Sequence, residues 1–172
     1  MPIDERELQV LLDKQALADL NMRYARGVDR KDYALLRSLY HPDATDDHGE
    51  SFSGPASAYV DWLETVLPGN VTQHFMTNML FALDGDHAEG EIYSIRYHVI
   101  DREDKGPVDI ISGGRYLDRY LRQDGRWYFM HRAITQEWEH SRHNSMPESW
   151  QSGLSTFPGD PSYAMQLLVG SD

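Results

Sequence analysis

His74 is the residue in this sequence best placed to move a proton. It lies near the start of VTQHFMTNML, flanked by Phe75 and Met76, with Asn78 four residues on. On a strand, side chains 74, 76 and 78 point to one face. If that face is the concave side of a sheet, His74 and Asn78 are polar groups in an apolar pocket, and a neutral imidazole there can act as a base near pH 7. A histidine on a strand can equally face solvent. Tyr24 and Asp29 form a second candidate group, five residues apart in RYARGVDRKDYALL. Asp29 reads either as the N-cap of the next helix or as a carboxylate presented to a pocket. Tyr24 reads as a core residue or as a phenol donor. The two are ~140° apart on an ideal helix, so they converge only if the helix unwinds near Gly27.

The remaining histidines carry less signal. His41 precedes Pro42 in a loop, and His48, His87, His140 and His143 lie in polar or loop contexts. His98 and His131 fall on strands and can face solvent. The 172 residues contain no cysteine, which excludes disulfides, thiolate nucleophiles and zinc–thiolate sites. His and Asp do not recur at a convincing metal-ligand spacing, so no metal is expected. There is no Gly-rich phosphate loop and no G-x-S-x-G elbow. ISGGRY falls within a strand and reads as a bulge or bend. A net charge of -12 argues against nucleic acid, although a local Arg can bind one acidic group. No stretch approaches ~20 apolar residues, so neither a membrane span nor a signal peptide is expected, and the cytoplasm is the default location.

Leu8, Leu11, Leu12, Ala16, Leu20 and Tyr24 predict an amphipathic helix over about residues 5–27, with Gly27 as its stop. DYALLRSLY predicts a second, short helix. A polar connection follows, with a short strand around Ala44. GPASAYVDWLETVLPG predicts a third helix, with Pro55 near its first turn and Gly69 after its end. From Val71 the pattern alternates. Ile92, Ser94, Tyr97 and Val99 are candidates for the β period, and Asp124-Gly125 marks a hairpin between two long strands. Three helices followed by four long antiparallel strands indicate an α+β fold: helices on one face of a curved sheet. The expected organisation is one domain over residues 1–140, with 141–172 as its C-terminal arm.

ALADLNMRYARGVDRKDYALLRSLYHPDA, QHFMTNMLFALDGDHAEGEIY and GGRYLDRYLRQDGRWYFMHR, in that order, resemble the SnoaL-like branch of the nuclear-transport-factor-2-like, cystatin-like superfamily. The resemblance covers roughly residues 5–139. Within that branch the chain is similar to hexachlorocyclohexane dehydrochlorinases, bile-acid dehydratases and, more distantly, scytalone dehydratases. The resemblance implies a cone-shaped pocket between helices and sheet, and lyase chemistry through a His–Asp pair without metal or organic cofactor. By motif position Asp29 is the acid of the pair and His74 the base. Tyr24 stands where the family carries a Tyr or Lys, and Arg132 matches an active-site Arg of the dehydrochlorinases.

Two readings follow. One is a cofactor-free lyase or isomerase of a small hydrophobic cyclic molecule, with Asn78, Phe75, Met76 and Trp62 on the pocket wall. The other is a ligand-binding or assembly protein, such as a ring-hydroxylating dioxygenase small subunit, since this superfamily hosts both. Apolar residues in both phases of IYSIRYHVI and RYLDRYLRQ leave apolar surface outside the pocket, which predicts a homodimer or homotrimer. Tyr163, Met165, Leu167 and Leu168 are candidates for packing on a neighbouring copy.

Overall fold

The structure is a computed structural model that describes residues 4–102, 106–143 and 156–165. Helix α1, Glu5–Arg30, starts at Asp4, whose carboxylate accepts from the Arg6 backbone N–H at 2.9 Å. Leu17, Leu20, Tyr24 and Val28 recur every three or four residues and form its buried stripe. The helix does not stop at Gly27. It runs on to Lys31, which closes it in the left-handed conformation at φ 58°. Gly27 serves another purpose: a Cβ there would come within 2.7 Å of Leu36, so its absence lets α2, Tyr33–Leu39, pack close against α1. The cap of α2 is Asp32, not Asp29, and accepts from the Leu35 N–H at 3.0 Å.

Two strands precede the long ones. β1 is Tyr40–Asp47 and β2 is Ser53–Pro55; helix α3, Ala56–Val66, follows. The long strands are β3, Val71–Asp84, β4, His87–Arg102, β5, Gly106–Gln123, and β6, Arg126–His143. The sheet order is β2-β1-β6-β5-β4-β3. Every neighbouring pair is antiparallel except β1–β6, which is parallel. The sequence therefore indicates the four long strands and the class, α+β. The β1–β2 hairpin and its parallel join to β6 depend on pairing between distant segments.

The β5–β6 hairpin turns through Asp124 and Gly125, both at positive φ (52° and 77°), as a two-residue turn matched to strand twist requires. The Gly-Gly pair of β5 marks a bulge, where the register with β6 shifts between Gly113 and Gly114. A Cβ on Gly114 would lie 1.9 Å from the Thr135 carbonyl oxygen, so only glycine fits. The core lies between the helices and the inner face of this curved sheet, around Tyr24, Leu36, Leu39, Val60, Ile92, Tyr116 and Phe129.

The described part of the C-terminal arm packs on its own chain. The Phe157 N–H donates to Arg30 O at 2.6 Å, the Tyr163 hydroxyl donates to Asp32 at 2.8 Å, and the Arg26 guanidinium lies 4.4 Å from the Tyr163 ring centre. Met165 is exposed, and Leu167 and Leu168 lie outside the described residues. Among the described residues, no helix is long and apolar enough to cross a membrane.

Candidate active site

A cavity of about 360 Å³ lies between the helices and the inner face of the long strands, at the small end of ligand cavities. Tyr24 and Val28 of α1, Tyr59, Trp62, Leu63 and Val66 of α3, and His48 and Ser51 from the β1–β2 hairpin form one side. Thr72 and His74 of β3, Arg96, His98 and Ile100 of β4, Ile110, Ser112 and Tyr116 of β5, and Ile134 of β6 form the other.

Asp29, in the last turn of α1, holds His74 at two points. One carboxylate oxygen accepts from the His74 backbone N–H at 2.8 Å and the other from ring Nδ1 at 2.7 Å. A carboxylate can only accept, so the proton sits on Nδ1 and Nε2 is left as the basic nitrogen. The helix does not unwind to bring Tyr24 and Asp29 together. Tyr24 reaches the cavity from the helix, while Asp29 stands behind His74 and does not line the cavity.

His98 lies beside His74, with ring centres 5.5 Å apart. Burial, followed by the neighbouring His74 and Arg96, pushes its pKa down to about 4, so it is neutral at pH 7. Its buried Nε2 has no hydrogen-bond partner among the described residues.

A second His–Asp pair faces the same cavity. Asp46 accepts from Nδ1 of His48 and, through its other oxygen, from the Tyr40 hydroxyl at 2.7 Å. Nε2 of His48 meets the Tyr59 hydroxyl at 3.0 Å, and the Tyr59 and Tyr24 hydroxyls are 2.9 Å apart. These contacts form one continuous chain: Asp46, His48, Tyr59, Tyr24. Burial raises the pKa of both phenols well above the usual value, which keeps them protonated.

Arg132 differs from its expected placement at the pocket wall. It is fully buried in the core and does not line the cavity. Asp118 accepts from it at 2.9 and 2.7 Å, Asn21 also accepts from it, and the rings of Tyr24, Tyr116 and Phe129 stack about it at 4.1–4.2 Å. It meets the site through the rings of Tyr24 and Tyr116, both of which line the cavity.

Trp62 lines the cavity as expected. Asn78, Phe75 and Met76 do not. Phe75 is on the outer face, 47% exposed. Met76 shares the inner face with His74 but packs against the hydrophobic core. Asn78 loses phase with His74 because the β3–β4 register shifts between Met76 and Met79, and it becomes exposed.

Sequence reasoning passed over His48, Tyr59, Arg96, His98 and Ser112. A signal was present for two of them: Ile92, Ser94, Arg96, His98 and Ile100 continue one strict period of two. Pairing Ile92 and Ser94 with Tyr97 and Val99 mixes the two faces of β4. Asp46 near the end of β1 and His48 just beyond it stand two residues apart, but so short a strand carries little periodic signal in the sequence. Among the described residues, no group of three or more His, Asp or Glu side chains could hold a metal ion.

Solved structures share this architecture. Hexachlorocyclohexane dehydrochlorinase LinA-type3 from Novosphingobium barchaimii LL02 superposes with a TM-score of 0.70 at 20% identity, covering 82% of this chain and 99% of that one. A proposed scytalone dehydratase from Novosphingobium aromaticivorans DSM 12444 gives 0.67 at 18%, covering 86% and 95%. A protein of unknown function with a cystatin-like fold from Nostoc punctiforme PCC 73102 gives 0.60 at 18%, covering 80% and 96%. At these identities the likeness establishes the fold. Residues 9–133 match the SnoaL-like domain, and the chain belongs to that family.

Proposed function

We propose that the protein is a cofactor-independent lyase or isomerase that takes a proton from a small hydrophobic cyclic molecule. The observation that carries this reading is the Asp29–His74 pair: Asp29 takes Nδ1, and Nε2 of this cavity-lining ring has no hydrogen-bond partner among the described residues. Nε2 accepts a proton from a C–H of the ligand. The electrons of that bond form a double bond as a leaving group departs from the adjacent carbon, or return at a second carbon in an isomerisation. Asp29 stabilises the imidazolium that forms. The mainly apolar walls, including Trp62, Leu63, Val66, Ile100, Ile110 and Ile134, suit a hydrocarbon ring.

The chain from Asp46 through His48 and Tyr59 to Tyr24 supplies a proton where the leaving group is an oxygen. Tyr24 or Tyr59 donates its proton to the departing oxygen, and the proton that His74 took from the ligand returns to the phenolate through solvent. A departing halide needs no such donor. Arg132 positions Tyr24 through its ring and does not touch the ligand.

The test is a panel of cyclic compounds with a hydroxyl or halogen β to an activated C–H, followed by mass spectrometry for loss of water or halide. Conversion of at least one compound is expected. His74→Ala should lower its kcat by about 10²–10⁴-fold with the melting temperature preserved. No conversion across the panel, or a folded variant with undiminished turnover, replaces this reading with that of a ligand-binding protein.

A further inference from the structure

Arg96 sits at the middle of the cavity's sheet wall and is only 4% exposed. It makes no hydrogen bond or ion pair with any described residue. Nε and Nη2 are both buried without a partner, and Nη2 lies against the backbone of Gly114, where a Cβ would be 3.2 Å from it. The contrast with Arg132 is direct: both guanidiniums are buried, but Arg132 is clamped by Asp118 and Asn21. A buried charge without a counter-ion is strongly unfavourable, and arginine as a rule stays charged.

The cavity offers Arg96 no anion. Asp29 and Asp46 stand behind His74 and His48 and are occupied by them. Glu139, the one carboxylate among the lining residues, is exposed and accepts from Gln136 at 2.6 Å. His98, two residues along β4, is neutral at pH 7. Ser112 is directly opposite Arg96 in the β4–β5 ladder and lines the same wall, adding a hydroxyl beside the cation. Much of the surrounding surface is apolar.

We infer that Arg96, seconded by Ser112, is the anchor for a carboxylate, so that the cavity selects small hydrophobic cyclic acids over their neutral counterparts. The carboxylate supplies the charge the protein omits, and the planar fork of the guanidinium fixes the ring relative to His74 and His98. This does not depend on the proton-transfer reading, because a ligand can be anchored whether or not it reacts.

The test measures binding by calorimetry, using benzoate, cyclohexanecarboxylate and 1-naphthoate, each beside its amide. At least one acid should bind about 10–100-fold more tightly than its amide, the range of a charge-assisted, desolvated pair. Arg96→Met should erase that difference while leaving amide affinity within a few-fold, and Arg96→Gln serves as a second neutral variant should the first not fold. The unliganded Arg96→Met protein should melt at or above the wild-type temperature, since an uncompensated charge has been removed. Equal affinity for acid and amide, a preference that survives in a folded neutral variant, or no binding of any acid at millimolar concentration overturns the inference.

Discussion

Asp29 performs two tasks at His74, one structural and one electrostatic, and Asp29→Asn separates them. The amide oxygen can still accept a hydrogen bond, but it cannot stabilise an imidazolium, and its NH₂ can impose the wrong tautomer. Stability should fall by about 1–2 kcal/mol, because one charge-assisted bond to the ring is weakened. The cost does not include a lost helix cap, since that cap is Asp32. The expected kinetic result is a kcat reduced about 10²-fold or more with KM little changed, measured on any compound the wild type converts. His98 gives a second test at this scale. Its folded pKa is about 4, below the ordinary histidine value of 6.5. The unfolded chain therefore binds more protons between those limits, so stability falls as pH drops through that window and is restored above it. At pH 5 the penalty is on the order of 2 kcal/mol. Melting curves at pH 7 and pH 5 should show a smaller acid loss in His98→Asn than in the wild type. An equal loss in both would remove His98 as the cause.

Glycine positions decide how the elements meet. Gly114→Ala would place a methyl 1.9 Å from a backbone oxygen of β6 that cannot rotate away. The bulge, and with it the β5–β6 register, must shift, at a cost of about 3 kcal/mol or more. The expected outcome is a melting temperature lowered by several degrees or failure to accumulate as soluble protein; an unchanged melting temperature contradicts the packing described. This bulge was legible as the ISGGRY motif, and the Asp124-Gly125 hairpin as a turn dipeptide, because both are local backbone requirements written in adjacent residues. The bulge of β3 was not. MTNM contains no glycine or proline, so the shift that turns Asn78 outward arises from pairing with β4, where Met76 meets Ser94 and Met79 meets Ile92. The same distinction governs the site. The helix and strand bearing Asp29 and His74 follow from periodicity, whereas the resemblance to a family joins the two residues into a pair. Arg132, by contrast, kept its expected strand but faces Asp118 and three aromatic rings, which periodicity alone does not reveal. His48 and Tyr59 join the cavity only because β1 runs parallel to β6, a pairing between segments some 85 residues apart.

The whole molecule has an apolar outer face opposite the cavity. Phe75 is paired with Ile95, Ile95 with Gly113, and Gly113 with Trp138, so these residues form one row across four strands. Phe75, Ile95 and Trp138 are 47, 38 and 42% exposed, and Tyr93, Ile111 and Leu117 on the same side are 39–41% exposed. Arg115, ion-paired with Glu91 and Glu137, separates Leu117 from the rest. Scattered exposed apolar residues are ordinary in a monomer, but the others lie together in one patch, which is the expected contact surface. A second copy is the expected occupant, because closed homo-oligomers bury the same patch on each subunit. The chain's net charge of -12 opposes association in general, so contact should form where charges are sparse, and this row contains none. The described part of the C-terminal arm lies on α1 and the start of α2 of its own chain. Light scattering at micromolar concentration should therefore give two or three times the chain mass of 19.8 kDa. Placing a charge in the centre of the row with Ile95→Lys should shift the protein to monomer while leaving the cavity's ligand affinity within a few-fold, because residue 95 points away from it. A wild-type mass of one chain, or an Ile95→Lys protein still at the wild-type mass, would show that this face is not where copies meet.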